Sequence, residues 1–173
     1  LLTHSKIEPD DDSQWIFLPA VKRVKRISSS NRTGKFVSSE FSYEDLGSEE
    51  VADNDHIWLE DAACEHDAAL TCAAVESRPK NKRSGYSRRV SFIDLDEYRV
   101  HRIDFYNRRG DLEKSLRFED YQQYEGQFWR AHVMIMDNSQ TGKSTRLAWG
   151  DYSFRQGLTE RDFTPQGLPK ASR

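Results

Sequence analysis

The sequence predicts a mainly β protein whose strands form an antiparallel meander with little helix. Between residues 88 and 154, five runs of near-alternating apolar and polar residues follow one another, and a period of two is typical of a half-buried strand. The links between these runs are short, and three of them contain Gly110, Gly126 or Gly142. Parallel pairing would need crossovers of about a dozen residues or more, so the short links indicate antiparallel neighbours.

Length and composition fit a single domain spanning residues 1–173. Only 36% of the residues are hydrophobic and 32% are charged, yet 9 Phe, 7 Tyr and 4 Trp argue against disorder. No window approaches the roughly 20 apolar residues of a membrane helix. The chain starts at Leu1 with no initiator Met and no leader, so we expect a processed form or a fragment, with any signal peptide absent from it.

The N-terminal part is predicted to contain short strands. Leu1–Ser13 has the pattern of a strand end followed by an acidic turn. Trp15–Leu18 is a strand that ends at Pro19, because proline cannot donate a hydrogen bond to a sheet. Lys22–Ser28 is a second strand with a basic, solvated face. The polar residues 28–35 that follow are typical of a loop.

The middle of the chain alternates loops with shorter strands. Phe36–Leu46 is interpreted as a loop or one helical turn tucked against the sheet. Ser48–Asp67 is interpreted as a strand followed by an exposed acidic loop, and Ala68–Ser77 as a strand of small residues. Arg78–Ser87 contains Pro and Gly among basic residues, which indicates a solvated connector.

The C-terminal half carries the strongest β pattern, and after Gly157 one helical turn is expected. The apolar positions of this half fall on one broad face, which cannot remain in water and must be covered by a second layer, by helices or by a ligand. The chain offers almost no helix for that purpose. Either the sheet curls on itself, or the cover is contributed by something outside this chain. The five predicted strands are Arg88–Leu95, Tyr98–Asn107, Asp111–Tyr121, Phe128–Asp137 and Lys143–Phe154.

No pattern in the sequence favours catalysis, and we predict neither enzymatic activity nor a cofactor. Thr141–Thr145 resembles the end of a phosphate-binding loop, but Asp137 stands where that loop needs its first glycine. Pairs of carboxylates are typical of solvated faces in so charged a chain. The basic run Lys22–Arg26 lacks accompanying aromatic residues, and the net charge is −3, so we predict no nucleic-acid partner.

The two cysteines allow three interpretations. Cys64 and Cys72 are close enough in sequence for a local disulfide, which would indicate an oxidising compartment. Two free buried thiols are the second interpretation. A zinc site with His56 and His66 is the third, although the spacing lacks the close ligand pairs of known zinc sites. We predict no metal site.

One long segment, and shorter ones along the whole chain, resemble the LolA-like family of outer-membrane lipoprotein-sorting proteins. The longest matching segments are Trp15–Ile27, Gly34–Phe36 and Ser39–Leu46. The resemblance implies a curved, half-open antiparallel β barrel with an apolar inner face that holds acyl chains, in a protein exported to the periplasm. This chain lacks the family's N-terminal helix and first strands. The shorter matches are Arg78–Lys80, Phe105–Asn107, Gly110, Met136, Asn138, Thr141–Gly142, Thr145, Leu158 and Asp162–Thr164.

The resulting hypothesis is a non-enzymatic periplasmic carrier of lipids or lipoproteins for sorting to the outer membrane. Its partners would be acyl chains, with an inner-membrane transporter or an outer-membrane acceptor, and a homodimer through open sheet edges is a further option. The alternative is an envelope interaction module that docks on a transporter or regulator through an open sheet edge. The twelve side chains expected to line an apolar trough are Trp15, Phe17, Phe36, Phe41, Ile103, Phe105, Leu116, Phe118, Val133, Ile135, Leu147 and Trp149. A register shift of one residue would exchange Trp15 for Ile16 and Leu18.

Overall fold

Two antiparallel sheets make up the computed structural model, which describes residues 1–6, 12–47, 49–65, 67–150 and 152–171. The smaller sheet has three strands in chain order: β1 (Leu2–His4), β2 (Ser13–Leu18) and β3 (Arg23–Ile27). Pro19 begins a 3₁₀ turn directly after β2, as expected of a residue that cannot continue a sheet. The predicted turn at Asp10 and Asp11 lies outside the described residues.

The larger sheet is a meander of seven strands, each paired with its neighbours in sequence. It is curved and does not close on itself, so the prediction of a mainly β, antiparallel, half-open barrel with little helix is confirmed. β4 and β10 are its two edges. The strands are β4 (Asn54–Cys64), β5 (Asp67–Pro79), β6 (Tyr86–Asp94), β7 (Val100–Asn107), β8 (Leu112–Tyr124), β9 (Phe128–Asn138) and β10 (Ser144–Ala148).

The acidic segment before Cys64 forms a longer strand than the sequence predicts. β4 runs through Glu60 and Asp61, where an exposed loop was expected. An edge strand pairs on one side only, so its acidic side chains can remain in water. In contrast, the last strand is shorter than predicted and ends at Ala148 rather than at Phe154. Beyond Ala148, the Trp149 amide still donates to β9 at the His132 carbonyl, and the Tyr152 hydroxyl donates to the Ala131 carbonyl.

Local backbone preferences account for the hairpin turns and for the 3₁₀ turn near the C-terminal end. Gly110 and Gly126 have positive φ angles of 90° and 66° in their hairpin turns, a conformation that costs glycine little. The turn expected after Gly157 is the 3₁₀ turn Glu160–Asp162, which begins with a capping box at Thr159. The one described α-helix, α1 (Leu168–Ala171), was not predicted, and it lies against β2 and β3.

Two apolar clusters lie where the small sheet and the following segment meet the large sheet. The first contains Phe41, Tyr86, Phe105, Leu116 and Met136. The second contains Ile16, Ile27 and Tyr43, and Phe36 packs against both. We call residues 28–47, which join β3 to the large sheet, the flap. The flap therefore supplies part of the cover that the apolar face of the large sheet requires.

Candidate functional site

A cavity of about 240 Å³ lies beside the first apolar cluster. Its apolar wall comes from three adjacent strands of the large sheet. Register pairs Ile103 with Leu116, and Phe118 with Met134, and residues directly opposite in a sheet share a face. We call this face the inner face. The apolar wall consists of Ile103, Phe105, Leu116, Phe118 and Met134.

The opposite wall of the same cavity is polar and charged. It is contributed by Lys6 and Asp12 in the segment before β2, by the flap, by residues 49–54 that lead into β4, and by the connection between β5 and β6. Arg89 belongs to the inner face itself, because its register partner is Phe105. The cavity is therefore amphipathic, with one wall for an apolar group and one for a polar group. The polar lining includes Arg32, Glu44, Asp45, Asn54, Ser84 and Arg89.

The flap places an aromatic side chain in the centre of the inner face. Phe41 is 0% exposed and packs with Phe105, Leu116 and Met136. The Glu40 amide donates to Thr145 Oγ1 at 2.9 Å, and Asn138 Nδ2 donates to Glu40 Oε2 at 2.9 Å. Side chains and backbone of the flap thus fill and close part of the apolar surface.

A buried ion pair fastens the flap to the large sheet. Lys114 Nζ on β8 lies 2.6 Å from Asp45 Oδ2, and the two side chains are 4% and 0% exposed. The Tyr86 hydroxyl donates to Asp45 Oδ1 at 2.6 Å. Burial, together with the Asp45 carboxylate, raises the pKa of Tyr86, so this hydroxyl stays protonated and donates. Buried charges need such complete pairing.

A second polar contact holds the end of the flap. Glu44 accepts hydrogen bonds from Ser84 Oγ at 2.5 Å and from the Gly85 amide at 2.9 Å. Both partners lie just before β6, in the segment predicted from its composition to be a solvated connector. That segment therefore borders the cavity.

Seven of the twelve expected trough residues gather in one cluster on the inner face. Leu147 joins through β10, whose register pairs it with Met134. The side chains of these seven residues are all apolar, which suits alkyl groups. The seven residues are Phe36, Phe41, Ile103, Phe105, Leu116, Phe118 and Leu147.

The structure places Val133 and Ile135 on the other face of the large sheet, which corrects their assignment to the trough. Successive side chains along a strand point to opposite faces. β8 and β9 pair without a register shift over residues 133–138. Since Met134 and Met136 belong to the inner face, their neighbours Val133 and Ile135 do not.

The assignment of Trp15 and Phe17 is corrected in the same way. Ile16 and Leu18 form the side of β2 that packs in the second cluster, so Trp15 and Phe17 point away from it. Trp15 instead packs edge-on against His4, with ring centroids 4.9 Å apart. Trp149 lies beyond the end of β10 and is 39% exposed.

Sequence reasoning missed the polar half of the site and one apolar residue in its wall. Met134 lies in a run of four apolar residues, in which alternation does not select a face. Lys114 and Arg89 were not singled out from the sequence as site residues. Their partners, Asp45 and Glu49, are far away in sequence, and no local pattern signals such a contact.

The two cysteines form a disulfide at the end of the β4–β5 hairpin. Cys64 and Cys72 Sγ are bonded at 2.03 Å. His56, a ligand in the zinc interpretation, instead contacts Ser77 Oγ and the Val51 carbonyl, and His66 lies outside the described residues. The donor atoms of Cys64, Cys72 and His101 lie within 4.8 Å of one another. Both sulfur atoms are in the disulfide, however, and cannot act as thiolate ligands.

The chain resembles both a protein family and solved structures. A family with the description "Uncharacterized protein-like" matches residues 1–170. A Vibrio parahaemolyticus domain named for outer membrane lipoprotein sorting is 44% identical, with a TM-score of 0.88 over 96% of this chain and 69% of that one. No curated protein matches the chain. None of the helices described is long and apolar enough to cross a membrane.

Two further solved structures share the fold. A DUF1329 family protein from Desulfovibrio piger is 28% identical, with a TM-score of 0.83 over 92% of this chain and 66% of that one. A LolA superfamily protein from Nitrosomonas europaea is 20% identical, with a TM-score of 0.66 over 88% of this chain and 66% of that one. The chain thus spans about two thirds of the length of the solved structures it matches.

Proposed function

The chain belongs to the LolA-like family of outer-membrane lipoprotein-sorting proteins, and on that premise we propose that it is a periplasmic carrier that holds acyl chains of lipids or lipoproteins on the inner face of its large sheet. The observation that carries the proposal is the apolar wall beside a flap that fills the inner face with its own Phe41. The Cys64–Cys72 disulfide supports an oxidising compartment such as the periplasm.

The free energy of burying an acyl chain is large enough to support such a carrier. Burying an acyl chain contributes about 0.8 kcal/mol per CH₂ group before the costs of binding. The present cavity of about 240 Å³ is smaller than the roughly 300–1,000 Å³ of ordinary ligand pockets. A long acyl chain therefore has to displace side chains of the flap, and release of cargo is assisted when Phe41 returns. The cargo and the side chains of the flap then compete for the inner face, and this competition governs both binding and release, with no catalytic step.

Two adjacent residues of β9 provide a matched test. Met134 belongs to the inner face and Ile135 to the other, and both are partly buried. Delipidated protein is titrated with a fluorescent fatty acid and with an acylated peptide. We expect saturable binding, weakened at least about tenfold in Met134→Glu because a charge then lies on the acyl surface. Ile135→Glu should bind like the wild type.

Two results would contradict the carrier proposal. One is binding no greater than that of a control globulin. The other is an equal loss of binding in Met134→Glu and Ile135→Glu, with both variants folded by circular dichroism. Native mass spectrometry of protein purified from membranes gives an independent reading of any bound lipid.

A second candidate function, an envelope interaction module, is favoured by the edge strand β4. Ile57, Trp58 and Leu59 are 43%, 63% and 45% exposed on this edge. An open edge with apolar side chains is a site for pairing with a strand of another protein, such as a transporter or an acceptor, or with a second copy of this chain. Capture from membranes that survives Met134→Glu but is lost in Trp58→Lys would favour this function over the carrier.

A further inference from the structure

We propose that the polar wall of the cavity recognises the neutral carbonyl oxygen of an acyl ester or amide, through Arg32 on the flap and Arg89 on β6. This proposal rests on the proposed acyl-binding function and specifies the chemical class of the cargo. The cargo's alkyl chain would lie on the apolar wall at Phe105 and Phe118, and its carbonyl group would face the two arginines.

The first observation is a pair of unsatisfied donors. In the part of the chain that the structure describes, two buried side-chain nitrogen or oxygen atoms lack a hydrogen-bond partner, Arg32 Nε and Arg89 Nε. Both residues line the same cavity. Buried polar groups in folded proteins are paired in the great majority of cases, so this coincidence points to a group that is supplied from outside the chain.

The chemistry of the two atoms defines what that group must be. A guanidinium nitrogen only donates hydrogen bonds, so the partner has to be an acceptor oxygen. Nη2 of the Arg89 guanidinium is already engaged, because it donates to Glu49 Oε1 and to Asn54 Oδ1. With its side chain only 12% exposed, Arg89 is held in place at the cavity wall.

The net charge of the polar wall favours a neutral acceptor over an anion. Five carboxylate residues line the cavity against three basic residues. The balance is still four to three when Asp45, which Lys114 neutralises, is left out, so a carboxylate or phosphate placed there meets net repulsion. The carbonyl oxygen of an ester or amide accepts the same hydrogen bond without adding charge. The carboxylates are Asp12, Glu44, Asp45, Glu49 and Asp53, and the basic residues are Lys6, Arg32 and Arg89.

The fold places the donors beside the apolar wall, where the carbonyl group of a bound acyl chain has to lie. Arg89 is the register partner of Phe105, so a carbonyl at Arg89 leads an attached alkyl chain onto the apolar wall. Arg32 lies on the flap, the segment that an acyl chain has to displace. Its Nε is buried in the present structure and has no hydrogen-bond partner among the described residues.

Two amphiphiles that differ in one carbonyl group test the proposal. The affinities of the delipidated protein for 1-dodecanoylglycerol and for 1-O-dodecylglycerol are measured by calorimetry. We expect the ester to bind about tenfold more tightly than the ether, since a hydrogen bond from a charged donor is lost in the ether. The preference should fall severalfold in Arg32→Gln and in the charge-retaining Arg32→Lys, because only Arg89 then donates to the carbonyl oxygen. It should persist in Arg23→Gln, which alters an exposed arginine of β3.

The outcomes separate this proposal from the carrier function. Equal binding of ester and ether, or an ester preference that is undiminished in both Arg32 variants, overturns carbonyl recognition by this pair but leaves acyl binding intact. Dodecanoate binding more tightly than the ester at pH 8 overturns the assignment of a neutral carbonyl and favours an anion site. Binding of neither amphiphile contradicts the carrier function as well. Thermal unfolding of each variant identifies any that fail to fold, and Arg32→Lys then serves in place of Arg32→Gln.

Discussion

At the scale of single residues, buried charges are the groups on which this fold depends. The Asp94 carboxylate is 0% exposed at the end of β6 and organises the turn to β7. It accepts hydrogen bonds from the Glu97 amide, from Arg99 and from His101 Nε2. Burial opposes ionisation of Asp94, but these hydrogen bonds outweigh it and lower the pKa to about 2.

The lowered pKa of Asp94 predicts how its contribution to stability depends on pH. The ionised carboxylate stabilises the folded state fully above its unfolded pKa of about 3.9, and the contribution is lost as the pH falls toward 2. Asp94→Asn should therefore lower the free energy of unfolding by about 2 kcal/mol at pH 7, and by much less near pH 2. Urea unfolding at both pH values measures this. Asp96→Asn, at an exposed position in the same turn, should be nearly neutral.

The Lys114–Asp45 pair leads to a second prediction at this scale. Lys114→Met leaves the Asp45 carboxylate buried without its cation, so we expect a loss of about 3–5 kcal/mol in the free energy of unfolding. Adding Asp45→Asn should restore part of that loss, because the unpaired charge is removed. Lys82→Met, at an exposed position, is the control. Urea unfolding of the wild type, the two single variants and the double variant measures these losses. A loss in Lys114→Met no larger than that in Lys82→Met would contradict the prediction.

At the scale of elements, the flap has two roles that oppose each other. Its apolar side chains complete the core of the large sheet, and the same side chains occupy the surface proposed for cargo. Its polar contacts through Glu40, Glu44 and Asp45 fix it to β6, β8 and β9 or their ends.

Replacing Phe41 separates the two roles. Phe41→Ala should lower the free energy of unfolding by about 3–5 kcal/mol, because a fully buried ring is removed. If cargo competes with this ring, the same change should raise the affinity for a fluorescent fatty acid. Val51→Ala, at a side chain that is 78% exposed, should change neither quantity. Reduced affinity in a folded Phe41→Ala protein would show that the ring supports binding instead of blocking it.

At the scale of the whole molecule, the two open edges of the large sheet differ in length. β4 is an edge strand of 11 residues, whereas β10 has five. Long edge strands with exposed apolar side chains promote association with other strands. Acidic residues around the β4 apolar side chains moderate this tendency, and the disulfide closes the end of the hairpin.

The open β4 edge predicts concentration-dependent self-association. Trp58 is 63% exposed on this edge, and Trp58→Lys should shift the protein toward the monomer in sedimentation velocity experiments. Val51→Lys adds the same charge at an exposed site outside the strand and should not shift it. A wild-type protein that stays monomeric at high concentration would show that β4 does not pair with copies of itself.

Sequence alone determined the features that depend on neighbours along the chain. Strand alternation predicted the C-terminal strands, and turn residues such as Gly110 and Gly126 predicted the hairpins. These signals are local, because a period of two and a positive φ angle are properties of a few consecutive residues. The short links then implied an antiparallel sheet.

Only the tertiary structure decided which face of each strand became the inner face, and which charges were buried. β2 and β9 carry apolar residues at both alternating positions, so their orientation depends on what packs against them, and this placed Ile16 and Met134 inward. Lys114 lies 69 residues from Asp45, and nothing near either residue in sequence indicates the pair. The unpaired Nε atoms of Arg32 and Arg89 likewise come together only in the folded chain, because burial is a property of the whole packing and not of a sequence pattern.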